Sequence, residues 1–436
     1  MLIWVVGLGY LGATHAVALS KLGHQVIGVD IDSVKVASLN SGKASFHEPN
    51  LDAELANALD QNLISFQGDF RNTEAPDAVF ICVGTPQSKF EESADVSQLF
   101  SAGRAVAKVI VPETVVIGKS TVPIGTGAIL KEEMSDIAGF PVHVAWNPEF
   151  LREGRALEDS INPDRVVIGS SDKYSKDILK LVYEPILDRG TPLVEVDLET
   201  AELTKLAANA FLATKISFIN AMAEVAEVSG ADAVALATAL GYDHRIGNRF
   251  LRNGIGFGGG CLPKDIRGFV ARAEELGVGE AVNFLKDVDA INQRRRARVV
   301  KLAEQELGKI KNKNVLMLGL SFKPDSDDMR DSPALDIALR LAKAGAKVTV
   351  HDPVALSSLR GKHPTLIREQ DLSAAARDQE LVILGTEWSE YRAIDPTAFG
   401  VLVANKLIID GRNILDVAAW QAAGWRLIAL GRNVHK

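Results

Sequence analysis

Cys261 has the surroundings of a reactive thiol. It follows a segment, 256–260, in which four of five residues are glycine, and it lies four residues before Asp265. Dense glycines let a substrate approach the backbone and leave a neighbouring thiol poorly covered, and an accessible thiolate can attack a carbonyl carbon. The alternative is an inert thiol packed as a small hydrophobic group. Cys82, inside the apolar segment 78–83, is predicted to be such a thiol.

Polar side chains on a long helix could assist this chemistry. The segment Leu198–Ser229 has no glycine or proline and carries apolar residues at helical spacing, which predicts one helix. Lys205 and Asn209 share one face of it. They form either a solvated stripe or, as their apolar neighbours favour, a partly desolvated pair able to polarise a substrate. Glu149, after the strand-like segment 142–146, is either a carboxylate at a strand end or a surface turn residue.

The N-terminus carries a dinucleotide-binding pattern. Gly7, Gly9 and Gly12 follow a strand-like segment and open a helix. In this pattern the first glycine permits a tight turn, the second lets backbone approach a pyrophosphate, and the third allows the helix to pack closely. Asp30 ends the next strand, where a carboxylate accepts hydrogen bonds from the adenosine ribose. The pattern predicts NAD rather than NADP, because Asp30 would repel a 2′-phosphate.

Alternating strands and helices must position these residues. Strands are predicted at 2–6, 25–29, 78–83 and 114–120, and a second alternating region begins at 314. Between them, helical character continues from 232 to about 307, interrupted by glycines at 254–260. Alternation of this kind predicts an α/β fold with parallel sheets. We expect two Rossmann-like doubly wound domains joined by a long central helix and a helical middle domain, with limits at 1–197, 198–307 and 308–436.

Composition restricts the possible functions. The 436 residues are 47% hydrophobic and 24% charged, as in ordinary globular proteins, and include only two cysteines. The net charge of −8 argues against general binding to nucleic acid. Apolar runs such as 315–320 are far shorter than a membrane span, and the apolar N-terminus lacks the basic start of a secretory signal. We therefore expect a cytoplasmic protein that binds neither nucleic acid nor membrane.

Eight segments resemble the UDP-glucose/GDP-mannose dehydrogenase family in order and spacing, across essentially the whole chain. They are 7–12, 83–86, 120–123, 147–154, 202–209, 256–265, 321–333 and 410–413. Within the family, the segment 245–248 most resembles the UDP-glucose branch. The resemblance implies that NAD oxidises the C6 alcohol of UDP-glucose twice, through a thiohemiacetal and a thioester on Cys261, to give UDP-glucuronate.

The resemblance also implies a role for each matching residue. Cys261 would be the nucleophile, and Lys205 and Asn209 would stabilise the oxyanion. Asp265 would orient a water or lysine for proton transfer. Glu149 would be the base that hydrolyses the thioester, with Thr121 holding water nearby.

The same match implies two sets of binding residues. It implies no metal. Those expected to contact NAD are Gly7, Gly9, Tyr10, Leu11, Gly12, Asp30, Lys35, Val83, Gly84, Thr85, Pro86, Ser120, Thr121, Glu153, Cys261, Lys264 and Arg330. Those expected to contact the sugar nucleotide are Glu149, Phe150, Leu151, Arg152, Glu153, Lys205, Asn209, Arg245, Phe250, Phe257, Gly258, Gly259, Lys323 and Arg412. Arg245 resembles an arginine that reaches the substrate of a neighbouring subunit, which implies a homodimer through the central helix.

Three alternatives stay open at this point. The chain could oxidise another nucleotide sugar, such as GDP-mannose or a UDP-N-acetyl-hexosamine. It could be a single-step hydroxyacid dehydrogenase of the 6-phosphogluconate type, which has no use for Cys261, or a non-catalytic sensor of NAD or nucleotide sugars. One departure from the family is Gly260, where a serine or tyrosine is common; we expect the missing side chain to add backbone freedom beside the cysteine.

Overall fold

Two largely parallel β-sheets, each wound by helices, organise the chain. A computed structural model describes residues 1–71, 73–88 and 91–432. The chain divides into two compact units, Met1–Ala208 with Arg267–Gly279, and Asn209–Ile266 with Glu280–Lys436. The expected α/β fold, with two Rossmann-like sheets and a long central helix, is confirmed.

The first unit contains an eight-stranded sheet. Its strands are β1 (Leu2–Val6), β2 (Gln25–Val29), β3 (Ile64–Gln67), β4 (Ala78–Ile81), β5 (Val115–Gly118), β6 (His143–Trp146), β7 (Val166–Gly169) and β8 (Leu193–Val196). They lie in the order β3-β2-β1-β4-β5-β6-β7-β8, with only the β6–β7 pair antiparallel. The first six strands have the order of a dinucleotide-binding fold, in which ligands bind where the order reverses, here at the carboxyl ends of β1 and β4.

Helices cover both faces of this sheet. They are α1 (Tyr10–Lys21), α2 (Ser33–Asn40), α3 (Leu51–Asp60), α4 (Ser97–Ala107), α5 (Thr126–Ala138), α6 (Ala156–Ile161) and α7 (Lys173–Leu187). Two apolar clusters fill the spaces between sheet and helices. Two predicted strands are shorter than expected: β4 stops at Ile81 and β5 at Gly118. Cys82 therefore follows its strand rather than lying inside it, although it is buried as predicted.

The middle of the chain is helical. It contains α8 (Leu198–Ser229), α9 (Ala233–Gly241), α10 (Leu262–Glu275), a 3-10 turn (Gly279–Val282) and α11 (Phe284–Leu307). By length and composition α8 could cross a membrane, but 44% of its most apolar window is buried in the protein. Glu202, Lys205 and Asn209 of α8 are also buried. These features are typical of a helix in a protein core.

The second unit contains a six-stranded sheet, entirely parallel. Its elements are β9 (Asn314–Leu318), α12 (Pro333–Lys343), β10 (Lys347–His351), β11 (Leu366–Arg368), α13 (Leu372–Ala376), β12 (Leu381–Leu384), α14 (Ser389–Arg392), α15 (Pro396–Phe399), β13 (Leu407–Asp410), α16 (Val417–Ala422) and β14 (Arg426–Ala429). The strand order, β11-β10-β9-β12-β13-β14, repeats that of the first six strands of the other sheet. Apolar clusters again lie on both faces.

Candidate active site

The glycine turn after β1 is shaped for a pyrophosphate. Gly7 has φ of +89°, in the region that favours glycine, and a Cβ on Gly12 would overlap the carbonyl oxygen of Gly7. A Cβ on Gly9 would meet nothing within 4 Å, so this side of the turn is open. No side chain caps the N-terminus of α1, which begins at Tyr10. The amides of the first turn are therefore available to an anion.

Asp30 directly follows β2, beside this turn. Its Oδ2 accepts the amide of Leu8 at 2.7 Å and the ammonium of Lys35 at 2.8 Å, and its Oδ1 accepts the amide of Asp32 at 2.9 Å. Burial raises the pKa of Asp30, but these hydrogen bonds outweigh it and hold the pKa below its usual value. The structure thus pairs two predicted cofactor residues and holds an ionised carboxylate next to the glycine turn.

The ends of β4 and β5 are joined to each other. Ser120 donates to the carbonyl of Val83 at 2.6 Å, and Thr85 donates to the carbonyl of Thr121 at 2.7 Å. Both predicted segments, 83–86 and 120–123, therefore meet at the carboxyl edge of the first sheet, next to the glycine turn. Gly7 itself approaches Val83 closely, since a Cβ on Gly7 would lie 2.7 Å from a methyl group of Val83.

The second sheet also has a glycine turn after its first strand and an aspartate after its second strand, but this aspartate is not accessible. Gly319 follows β9 with φ of +91°, and Asp352 follows β10, as Gly7 and Asp30 do in the first sheet. Asp352 is only 2% exposed, because donors from Leu320, Ser321 and neighbouring groups surround both of its oxygens. A ribose could not reach it, so the first sheet is the one suited to NAD.

Glu149 and Lys205 form a buried ion pair in the first unit, with 2.8 Å between Oε1 and Nζ. The ring of Phe150 lies against two cations, with Arg165 Cζ 3.7 Å and Lys205 Nζ 5.5 Å from its centroid. Burial raises the pKa of Glu149, but the nearby ammonium groups outweigh it and hold the pKa below its usual value. Glu149 is therefore ionised at neutral pH, as a general base must be.

Lys119 is a buried cation that sequence reasoning did not select. Its Nζ donates to Asn147 Oδ1 at 2.8 Å, and Tyr183 donates to the same oxygen at 2.6 Å. Burial lowers the pKa of Lys119 to about 8. A cavity of about 70 Å³ is lined in part by Lys119, Asn147 and Glu149. A lysine inside the predicted strand 114–120 was the available signal, since charged residues are rare in buried strands.

The second unit holds the candidate nucleophile. Cys261 is exposed, in no disulfide, and lies directly before α10, whose N-terminus stabilises negative charge. Asp265, in the first turn of α10, accepts Asn209 Nδ2 at 2.6 Å and Lys264 Nζ at 2.7 Å. Asp265 and Asn209 are both buried. The structure thus joins three predicted site residues in one network, within one turn of the thiol.

A side chain at position 260 would compete for space with Arg330. The φ of Gly260 is not in the left-handed region, and a Cβ at this position would overlap the guanidinium of Arg330. Arg330 is held there by Asp328, with Nη2 2.7 Å from Oδ2, and its carbonyl accepts the amide of Gly259 at 2.9 Å. The missing side chain leaves room for the Arg330 guanidinium next to Cys261, and the added backbone freedom stays a prediction.

The predicted sugar-nucleotide residues of the second unit cluster around the same glycines. Arg412 donates to the carbonyls of Gly385, Gly256 and Phe322 at 2.8 to 3.2 Å. The ammonium of Lys323 lies 5.2 Å from the centroid of the Phe322 ring, and that ring packs on Gly259. Arg412 also pairs with Glu387 at 3.2 Å, so its charge is partly balanced. Both cations come from loops that follow strands of the second sheet, and they lie against the glycine segment that precedes the thiol.

The remaining predicted residues differ in exposure, and Leu151 and Arg152 line the cavity that Glu149 and Lys119 line. Arg245 is exposed and pairs with Asp243 at 2.6 Å, and Arg152 is exposed and pairs with Asp159. Phe250 is partly exposed with a positive φ of 62°. Leu151 donates its amide to Glu149. Glu153 and Leu151 are half-buried, while Phe257 and Gly258 are buried.

Sequence reasoning missed a second buried residue, Glu48. Its carboxylate contacts Tyr10 at the start of α1 and the amides of Gly154 and Ala156. Its one sequence signal is a carboxylate in a loop otherwise poor in charge, which is weak, because the partners are 38 and 106 to 108 residues away.

An open glycine turn beside the carboxylate of Asp30, and an exposed thiol one turn from the hydrogen-bonded Asp265, Asn209 and Lys264, are features typical of NAD-dependent dehydrogenases. Family models for the UDP-glucose/GDP-mannose dehydrogenase family match the chain as an NAD binding domain at 1–187, a central domain at 199–294 and a UDP binding domain at 316–417. The chain belongs to this family.

Similar proteins support this assignment. The UDP-glucose 6-dehydrogenase of Rhizobium meliloti is 38% identical over 99% of this chain and 100% of its own length. That of Bacillus subtilis is 37% identical over 99% of this chain and 98% of its own. A UDP-glucose dehydrogenase structure from Pyrobaculum islandicum superposes with a TM-score of 0.89 at 36% identity, covering 99% and 97% of the two chains.

Proposed function

We propose that this protein oxidises UDP-glucose to UDP-glucuronate with two equivalents of NAD. The observation that carries the proposal is the exposed Cys261 at the N-terminus of α10, with the Asp265–Asn209–Lys264 network one turn away. A dehydrogenase that oxidises an alcohol only once needs no such nucleophile. The names of the relatives support UDP-glucose as the sugar nucleotide.

The reaction runs in three steps. NAD, when bound, would supply the hydride acceptor for C6, and the alcohol would become an aldehyde with release of a proton. The Cys261 thiolate adds to the aldehyde carbon, and the resulting thiohemiacetal gives hydride to a second NAD and becomes a thioester. Water then attacks the acyl carbon, the C–S bond breaks, and the acid leaves. Each sugar therefore yields two NADH.

We assign the proton and charge transfers to the buried polar residues. Lys205 and Asn209, one turn apart on α8, stabilise the oxyanion, and Asp265 orients the proton-transfer partner. Glu149 is the base for thioester hydrolysis, with Thr121 holding the water. The ion pair with Lys205 supports this role for Glu149, because it keeps the carboxylate ionised although it is buried.

We assign binding in the same way. Asp30 and the turn 7–12 hold the adenosine and pyrophosphate of NAD, and Arg330 adds a cation. Lys323 and Arg412 hold the diphosphate of the sugar nucleotide, since a protein with a net charge of −8 needs local cations for it. The division into domains at 1–197, 198–307 and 308–436 stays part of the proposal.

A homodimer through α8 is the proposed assembly. Phe211, Phe218 and Val225 are spaced by seven residues, so they lie on one face of α8, and they are 67%, 48% and 55% exposed. Such an apolar stripe on a helix is typical of a subunit interface. We also propose a cytoplasmic location, without membrane or nucleic-acid partners, as the charge and cysteine content favour.

The proposal is tested by stoichiometry and by one substitution. We expect two NADH per UDP-glucose; a ratio of one would remove the thioester route. Cys261→Ser should lower the double oxidation by orders of magnitude while NAD still binds, because the turn 7–12 is unchanged. Cys82→Ser is the matched control, since it removes the other, buried thiol. Full activity of Cys261→Ser would contradict the covalent scheme.

A substrate panel tests the sugar. UDP-glucose, UDP-galactose, GDP-mannose and UDP-N-acetylmannosamine are compared by NADH formation. We expect kcat/KM to be highest for UDP-glucose. A preference for GDP-mannose or for an N-acetylated sugar would move the protein to another branch of its family, and turnover of none with intact NAD binding would indicate a sensor.

A further inference from the structure

Glu48 is a buried carboxylate surrounded by hydrogen-bond donors. It lies between α2 and α3 and is 6% exposed. Its Oε2 accepts the hydroxyl of Tyr10 and the amide of Gly154, the latter at 2.8 Å. Its Oε1 accepts the amides of Ala156 at 2.7 Å and Leu157 at 3.4 Å. Because burying a carboxylate is strongly unfavourable without such partners, these donors fix its position.

The donors come from two functionally different segments. Tyr10 is the first residue of α1 and follows Gly9, in the turn of the NAD-binding domain. Gly154 directly follows the segment 149–153, which carries Glu149 and Glu153. We assign both carboxylates to the sugar and call this the sugar segment. The amide of Gly154 lies 3.0 Å from the Tyr10 hydroxyl as well as 2.8 Å from Glu48. The three groups therefore form one closed set of hydrogen bonds.

Capping of α6 explains only half of these contacts. Ala156 and Leu157 are the first residues of α6, and no side chain of the local sequence caps this helix. The contacts at Oε1 satisfy its amides, but those at Oε2 do not involve α6. Burial and the neighbouring Glu48 raise the pKa of Tyr10, so its phenol keeps the proton that it donates. The Tyr10 contact thus links α1 to the sugar segment.

The other end of the sugar segment is held independently. Asn147 accepts Lys119 and Tyr183, and donates to the carbonyl of Val167 at 2.7 Å. These partners belong to the sheet and to α7 rather than to the cofactor turn. Glu48 therefore provides a hydrogen-bonded route from α1 to the segment 149–153, in addition to the direct packing of α1 against α6.

We infer that Glu48 is a positioning residue that couples the cofactor turn to the sugar segment, so that NAD binding at α1 orders Glu149 and Glu153 for the sugar. The inference rests on the proposed function where it assigns these two residues to the sugar. The link from Tyr10 to Gly154 can be tested with NAD alone, and so separately from the reaction.

Amide hydrogen exchange of the full-length protein, read by mass spectrometry on a peptide containing Gly154, Ala156 and Leu157, tests the link. In the wild type we expect saturating NAD to slow exchange about fivefold or more. In Tyr10→Phe the contacts at Oε1 remain, but the effect of NAD should fall below about twofold. Glu48→Gln places an amide group against backbone donors, and should speed exchange about tenfold without ligand.

Asp172→Asn is the matched control, because Asp172 is another carboxylate of the first unit that caps a helix, accepting the amides of Tyr174 and Ser175. A purely structural role of Glu48 would lower thermal stability but leave the effect of NAD unchanged, as in this control. Equal slowing by NAD in wild type and Tyr10→Phe would overturn the inference, even if Glu48→Gln does not fold. Failure of the proposed function would appear instead as absent NADH formation from UDP-glucose.

Discussion

Replacing Lys119 by methionine should remove a pH dependence of stability. Burial lowers the pKa of Lys119 from its usual 10.5 to about 8. Below pH 8 the folded protein keeps a buried ammonium, which costs about 3 kcal/mol relative to the unfolded chain, at about 1.4 kcal/mol per pH unit. Between pH 8 and 10.5 the folded state has lost this proton while the unfolded state keeps it, so stability rises with pH across this window.

The assay is urea unfolding followed by circular dichroism at several pH values. Between about pH 7 and 9.5 the wild type should gain about 2 kcal/mol of stability from this group, and Lys119→Met should lack the gain. Methionine also removes the hydrogen bond to Asn147, which lowers the stability of the variant but adds no pH dependence, because methionine does not titrate. Lys173→Met, at an exposed position, is the control. Parallel curves for wild type and Lys119→Met would refute the reasoning.

Three further outcomes are expected. Gly260→Ser should push Arg330 away from Cys261 and raise KM for NAD about fivefold, the loss of about 1 kcal/mol of charge-assisted contact; an unchanged KM would remove Arg330 from the cofactor site. Lys323→Ala should weaken UDP-glucose binding about tenfold in calorimetry with little change for NAD. Phe218→Glu should give monomers in light scattering, whereas Val401→Glu, at another exposed apolar position, should not.

Local features were predictable because local rules set them. The long helix from Leu198 to Ser229 is uninterrupted because it contains no glycine or proline, and Gly230 follows its last residue. The turn at Gly7 is equally local, since only glycine tolerates its positive φ without strain. The two Rossmann-like sheets follow from alternation of short apolar strands with helices.

Helical spacing did not reveal which face of α8 is covered. Leu203 and Phe218 belong to the apolar pattern yet are 39% and 48% exposed. Glu202 and Lys205 are buried instead. Glu202 accepts the amides of Gly125 and Gly127 at 2.6 Å, contacts that depend on where α5 packs. Helical spacing takes account only of residues within the helix, whereas the burial of each residue depends on the elements that pack against the helix.

The sequence by itself determined the family, the cofactor turn, the candidate nucleophile and the alternation of strands with helices, because each depends on residue type and short-range spacing. Only the tertiary structure decided which charges meet. Lys205 pairs with Glu149, and the buried Lys119 donates to Asn147. Glu48 accepts amides more than 100 residues away in the sequence. Such pairs form between distant segments that the packing of sheets and helices brings together, and no local pattern encodes them.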